Sequence, residues 1–463
     1  MSFAPSSPQR KHQLRAALFS ARFISHSRHF PPFPAIFRYS REAGWRHESI
    51  APLRRVGQFQ VLELFHGPTF AFKDVALQLL GHFFDLALRK RNARMTILGA
   101  TSGDTGSAAI AAVKGRANID CTMLFPLGRT SKIQELQMTS NTESNIHCLA
   151  VKDSVFDDCQ AIVKACFNDS QFNAEMSLGA VNSINWCRIL AQIVYYVYAA
   201  ARCHRPVSFV VPTANFGNML AGYRPFRLFP RVRVYDVCCR YYARKLGCCI
   251  PIRSLVIASN SNAILPNFFA TGCYSITPTL PTLSPSMDIS ISSNFERFLF
   301  DLWDRDAAQT ALKFSQLSSH RIFSITPAQL LSSRAHFASF SIDETETLNT
   351  IRSVFTSHGY LLCPHSAVGY CAAQKFTSLA DASGLPSDED VVVIATAHIG
   401  KFVDGITCSL EGSSDGALID ALGCCMPAEL RDLALRSRGE HGLRRVEVDN
   451  SLEAVRCLSL PQR

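Results

Sequence analysis

The strongest constraint in this chain is an alternation that begins at Met95. Met95–Ala100 is a short apolar run. Thr105–Lys114 has helical spacing and is closed by Gly115. Asp120–Phe125 is a second apolar run, ended by Pro126. Ser131–Met138 is helical, Ile146–Val151 is a third run, and Phe156–Phe167 is helical again. Short apolar runs separated by helical periodicity read as strands joined through helices. Strands joined in this way point in the same direction, so the alternation predicts a parallel sheet with right-handed crossovers.

The same signals recur on both sides. Phe59–Phe65 is strand-like. Val75–Arg91 is amphipathic, with Leu79, Leu80, Phe83, Leu86 and Leu88 on its apolar side. Later, Ile189–Arg202 reads as a helix, and Val207–Val211 and Ser254–Ser259 as strands. Val391–Thr396 is a nearly unbroken β-branched run, which suits a central strand buried on both faces. Asp381–Glu389 reads as a polar surface loop.

Composition removes several classes of function. The longest apolar run, Ile189–Ala200, is well short of the ~18–20 residues that cross a bilayer, so no membrane span is expected. The net charge of +10 is not spread evenly. Residues 1–55 hold ten basic residues and two acids, and residues 224–241 hold five arginines and one acid. The remainder is slightly acidic, so no nucleic-acid role is expected. Residues 1–56 are rich in Arg, Ser, Phe, His and Pro, and they read as a basic, low-order segment. A cytoplasmic protein is expected, with a mitochondrial or plastid leader as the alternative. The 17 cysteines are scattered, with no C-x-x-C pair and no zinc-finger spacing. They read as buried thiols in a reducing compartment, and no metal site is expected.

Three segments carry candidate chemistry. In Phe65-His66-Gly67-Pro68-Thr69-Phe70-Ala71-Phe72-Lys73-Asp74, one lysine is framed by aromatics at a helix start. Partial desolvation favours its neutral, nucleophilic amine, the form needed for Schiff-base chemistry. Thr101-Ser102-Gly103-Asp104-Thr105-Gly106-Ser107 joins a strand end to a helix start through small hydroxyl residues. Such a turn can cradle an anion, or it can be an ordinary capped helix. Pro212-Thr213-Ala214-Asn215-Phe216-Gly217-Asn218-Met219 is a second strand–polar loop–helix junction. Neither G-x-G-x-x-G after a strand nor G-x-x-x-x-G-K-[ST] occurs, so dinucleotide and P-loop readings lose support.

Taken together, Leu62–Met138 closely resembles threonine synthase, a pyridoxal-phosphate enzyme of the tryptophan-synthase-β-like fold (fold type II). The resemblance continues through Val181–Trp186, the 212–223 segment, Thr282–Asp288, Ser292–Arg297, Pro364–Gly369 and Thr396–His398. It implies two three-layer α/β/α domains with mainly parallel sheets and the cofactor in the cleft between them. The large domain would comprise 57–93 and 183–410, the smaller substrate-side domain 94–182, and a C-terminal extension 411–463. Lys73 matches the lysine that bears pyridoxal 5'-phosphate. Ala214, Asn215, Phe216, Gly217 and Asn218 match the loop that holds the cofactor phosphate, and Thr396 matches the hydroxyl at the pyridine nitrogen. Thr101, Ser102, Gly103, Asp104 and Thr105, with Asn182, Asn185 and Arg188, match the side that faces the amino-acid substrate.

The activity so implied converts O-phospho-L-homoserine and water to L-threonine and phosphate, with the Lys73 amine moving the Cα and Cβ protons. A monomer or homodimer is expected. A phospholyase releasing a keto acid and a catalytically inactive homologue are the alternatives. Four departures from the family pattern stand out. Lys73 comes earlier than the family's longer N-terminal segment would place it. The family's glycine and aspartate in the phosphate loop are Ala214 and Asn218 here. Asn-x-Asn-Asp reads Asn260-Ser261-Asn262-Ala263. Residues 224–241 form an insertion. Alanine at 214 is expected to strain a glycine conformation.

Overall fold

The computed structural model describes residues 44–223, 252–382, 388–410, 416–436 and 445–453. The insertion at 224–241 and residues 1–43 lie outside the described residues. In chain order the strands are β1 (Leu53–Val56), β2 (Phe59–Glu63), β3 (Met95–Ala100), β4 (Ile119–Pro126), β5 (Ile146–Val151), β6 (Leu178–Gly179) and β7 (Val207–Pro212). They continue with β8 (Ile252–Ser259), β9 (Cys273–Ser275), β10 (Ile322–Ser324), β11 (Phe337–Ser341), β12 (Asp390–Ala395) and β13 (Val446–Val448).

These strands build two sheets and a small β9–β10 pair. The larger sheet runs β1-β2-β12-β7-β8-β11 and is parallel except for the β1–β2 hairpin. The smaller runs β13-β5-β4-β3-β6 and is parallel throughout. This is the mainly parallel α/β architecture that the alternation predicts.

Side chains on a strand alternate between faces, and here both faces of each sheet are buried. In β12, Val392 and Ile394 enter one apolar cluster with Phe209 and Ile257. Val391, Val393 and Ala395 enter the opposite cluster with Val61 and Val256. The small sheet divides in the same way, with Ile97, Cys121 and Met123 on one side and Leu98, Leu124 and Leu149 on the other. β12 therefore lies between β2 and β7 as the buried central strand.

Several boundaries move. The helix expected at 75–91 starts at Lys73, and that expected at 189–202 spans Trp186–Ala200. The 381–389 loop is shorter, because the helix Pro364–Ala382 runs into it; residues 383–387 lie outside the described residues. The basic N-terminal unit ends before 56. Leu53–Val56 pair with Phe59–Leu62, and Arg46 places its guanidinium 3.9 Å from the centre of the Phe70 ring while pairing with Glu429 at 3.0 Å. The stretch after 411 is also no loose extension in its described parts. Val446–Val448 add the edge strand of the small sheet, and Leu430 packs with Phe70, Ile133 and Leu136.

Candidate active site

The carboxyl ends of parallel strands gather loops at one edge of a sheet, and ligands bind there. The loops after β3, β7 and β12 converge on one pocket between the two sheets.

Lys73 opens the helix Lys73–Arg91, and backbone pairing fixes where that start lies. Phe72 N–H donates to Thr396 O at 2.7 Å, and His398 N–H donates to Phe70 O at 3.0 Å. The lysine loop is thereby stitched to the end of β12, which brings Lys73 and Thr396 to the same pocket. Below the loop, Asp74 is fully buried and accepts from Thr69 N–H and Thr69 Oγ1 at 2.8 and 2.7 Å. Burial pushes its carboxyl up to about 6, against those hydrogen bonds.

The Lys73 side chain is 12% exposed, and Nζ lies 4.9 Å from the Phe72 ring centre and 3.3 Å from Asp104 Oδ2. Burial lowers its pKa most, the cations Arg188 and Lys401 lower it further, and Asp104 opposes them. A neutral amine is accessible there, as Schiff-base chemistry requires.

Asp104 begins the helix Asp104–Val113. Burial alone would raise its pKa, but the ion pairs to Lys401 and Lys73 hold it below the ordinary carboxylate range. Lys401 Nζ sits 2.6 Å from Asp104 Oδ1, and Gln134 Nε2 donates to the same oxygen at 2.8 Å. Gly103, just ahead, has φ +127°, and a Cβ there would lie 2.5 Å from Gln134 Cδ, so the turn requires glycine.

The 213–219 loop leads from β7 into a helix that begins at residue 217. Its shape is held from the 292–294 segment. Ser292 Oγ donates to Ala214 O at 2.6 Å, Ser293 Oγ to Asn215 Oδ1 at 3.1 Å, and Asn294 N–H to Asn215 O at 3.1 Å. The expected strain at Ala214 is absent: the residue of this loop with positive φ is Phe216, at 59°. Asn218 Oδ1 accepts from the hydroxyls of Tyr195 and Tyr196 at 2.6 and 2.8 Å, and its amide Nδ2 has no partner among the described residues.

The pocket brings together Lys73, Thr101, Ser102, Asp104, Thr105, Asn182, Arg188, the 214–218 loop and Thr396. Two expected residues do not line it. Gly103 turns its N–H to Thr101 Oγ1 at 2.9 Å. Asn185 spends its side chain on capping, accepting from Cys187 N–H at 3.0 Å and donating to Ala180 O at 2.9 Å. Asn182 has the pocket on one side, with its Oδ1 taken by Ile184 N–H.

Sequence reasoning missed Lys401, His365 and Gln134. A signal for Lys401 was available: it stands in Ile399-Gly400-Lys401-Phe402-Val403, as apolar a setting as that of Lys73. His365 is buried in the pocket wall with both ring nitrogens unpartnered among the described residues, and burial pulls it down to about 3, so the ring is neutral at physiological pH.

Residues 48–326 match the model of the pyridoxal-phosphate dependent enzyme family. The threonine synthase of Pseudomonas aeruginosa is 41% identical over 391 residues, covering 84% of this chain and 76% of that protein. The threonine synthase of Schizosaccharomyces pombe is 39% identical over 411 residues, covering 80% and 74% respectively. The crystal structure of pyridoxal-phosphate-bound threonine synthase from Brucella melitensis superposes with a TM-score of 0.78 at 38% identity, covering 98% of this chain and 91% of that one.

The chain belongs to the threonine synthase family.

The threonine synthase cofactor is pyridoxal phosphate, and the pocket fits it. Thr396 Oγ1, Arg188 Nε, Asn218 Nδ2 and both His365 nitrogens are buried polar atoms without a partner among the described residues. Such atoms are costly unless a ligand satisfies them. With an amine at Lys73 and a helix start at 217, they make a donor-rich pocket for an anionic ligand with a carbonyl group.

Proposed function

We propose that this protein makes L-threonine and phosphate from O-phospho-L-homoserine and water. The observation that carries the reading is the convergence of the buried Lys73 amine, the 214–218 loop and the unpartnered Thr396 hydroxyl on one pocket.

Pyridoxal phosphate, when bound, supplies an electron sink for substrate carbanions. Lys73 would carry it. The 214–218 loop and the helix start behind it would receive its phosphate, and the Thr396 hydroxyl would meet its ring nitrogen. A neutral hydroxyl at that nitrogen does not force the ring to hold a proton. Once substrate is bound, Lys73 Nζ is the base and acid at Cα and Cβ. Asp104 steadies that amine from 3.3 Å. Arg188, whose guanidinium burial pulls down to about 10, keeps its positive charge at neutral pH and faces the anionic groups of the substrate. The Ser102 and Thr105 hydroxyls and the Asn182 amide complete that wall. Water adds at Cβ and phosphate leaves from Cγ.

The test is a product assay with O-phospho-L-homoserine. Threonine and phosphate formed one to one support the reading. A keto acid in place of threonine would make the protein a phospholyase, and no turnover by cofactor-loaded protein would make it an inactive homologue.

A further inference from the structure

We propose that Lys401 is a positioning residue for the Lys73 amine: it takes up one oxygen of Asp104 and so keeps that carboxylate from holding a proton on Lys73. The inference rests on Lys73 as the cofactor-bearing lysine.

Lys401 closes the short turn Ile399–Lys401 after β12, and its side chain is 0% exposed. A buried ammonium needs acceptors at hand. Nζ has two, Asp104 Oδ1 at 2.6 Å and Thr69 O at 3.0 Å. The carboxylate is thereby divided. Oδ1 receives Lys401 and Gln134 at 2.6 and 2.8 Å, while Oδ2 meets Lys73 at the longer 3.3 Å.

Four ionisable groups face Lys73: Asp104 from the helix 104–113, Arg188 from the helix 186–200, His365 from the helix 364–382 and Lys401 from its turn. With His365 neutral, one carboxylate serves three cationic side chains. Side chains so deeply buried do not hold that excess positive charge cheaply. Arginine does not release a proton in proteins. Lys401 is fixed between two acceptors, so Lys73 is the group left to become neutral. Without Lys401, Asp104 would turn its full charge on Lys73 and stabilise the ammonium.

The experiment strips the full-length protein of pyridoxal phosphate and measures its recapture. The rate at which the bound-cofactor absorbance returns is followed from neutrality up to the ordinary lysine pKa of about 10.4. The midpoint of that rate reports the Lys73 proton. Lys401→Met is expected to raise the midpoint by about one pH unit, whereas Lys401→Arg, which keeps the charge, stays near wild type. Lys401→Gln keeps a donor toward Asp104 and loses the charge. It replaces Lys401→Met where that variant does not fold, and its midpoint must rise too. In an Asp104→Asn background the same replacement must move the midpoint less. An unmoved midpoint in the neutral variants, or an equal shift in the Asp104→Asn background, would overturn the proposal. Lys73→Ala is run beside them. If it recaptures cofactor with the same absorbance, the reading of Lys73 fails, which is a different result from an unmoved midpoint.

Discussion

Asp104 and Thr396 illustrate how one pocket holds polar groups in opposite states. Asp104 accepts from Lys73, Gln134 and Lys401, whereas Thr396 Oγ1 has no partner among the described residues. The first is a groups-in-place device and the second awaits a ligand. Thr396→Val is therefore expected to damage turnover more than cofactor retention, since on the proposed reading the 214–218 loop, not Thr396, receives the cofactor phosphate. Complete cofactor loss with the fold intact, measured by absorbance and circular dichroism, would contradict this. Lys73→Ala is expected to abolish both the bound-cofactor absorbance and turnover. His365 gives a pH signature. Its folded pKa of about 3 lies below the unfolded value near 6.5, so the unfolded chain binds the extra proton between those values. Its contribution to stability is thus present above about pH 6.5 and falls away on acidification toward pH 3, with a slope of up to ~1.4 kcal/mol per pH unit. His365→Gln should lose that slope. Urea midpoints compared at neutral and acid pH would show it, and equal acid sensitivity in both proteins would count against a neutral buried ring. At this scale the sequence marked Lys73 through its aromatic frame. The apolar setting of Lys401 was a comparable signal, but its role, like that of His365, depends on groups distant in the chain: Lys401 meets Thr69 and Asp104, far upstream.

Among elements, the strands were the most legible. Met95–Ala100 and Ile146–Val151 have the expected bounds, since a run buried on both faces starts and stops where its apolar residues do. The helix starts were less so. Lys73 and Asp104 each begin a helix with no side-chain cap of the preceding residue to announce it, as Phe72 and Gly103 hold those places. The described parts of the end segments carry little signal of their own for a related reason. Val446–Val448 has only one buried residue, Val448, and depends on β5 for its hydrogen bonds. A strand so short carries no pattern of its own. Leu430 tests the returning C-terminal part. It is 0% exposed and touches the apolar cluster of Phe70, three residues before Lys73. Leu430→Ala should cost about 2–5 kcal/mol, as large-to-small core changes do. It should also weaken cofactor retention, because Phe70 lies in the lysine loop. A destabilised variant with unchanged retention would detach the helix Ala428–Arg436 from the site.

Over the whole molecule, two mainly parallel sheets present their carboxyl edges to one pocket, and the chain returns to that pocket from many points in the sequence. Lys73 arrives before β3, Asp104 after it, Arg188 before β7, the 214–218 loop after β7, His365 before β12 and Thr396 after it, with Lys401 paired to Asp104. Only folding unites them, which is why the motifs were readable singly while their geometry was not. The central claim is that Lys73, rather than the more deeply buried Lys401, carries the cofactor. The direct test is to load the protein with pyridoxal phosphate, fix the covalent link with borohydride, and map the modified peptide by mass spectrometry. The account predicts one phosphopyridoxyl group per chain, on Lys73. A modified Lys401, or an unmodified chain that still makes threonine, would contradict it.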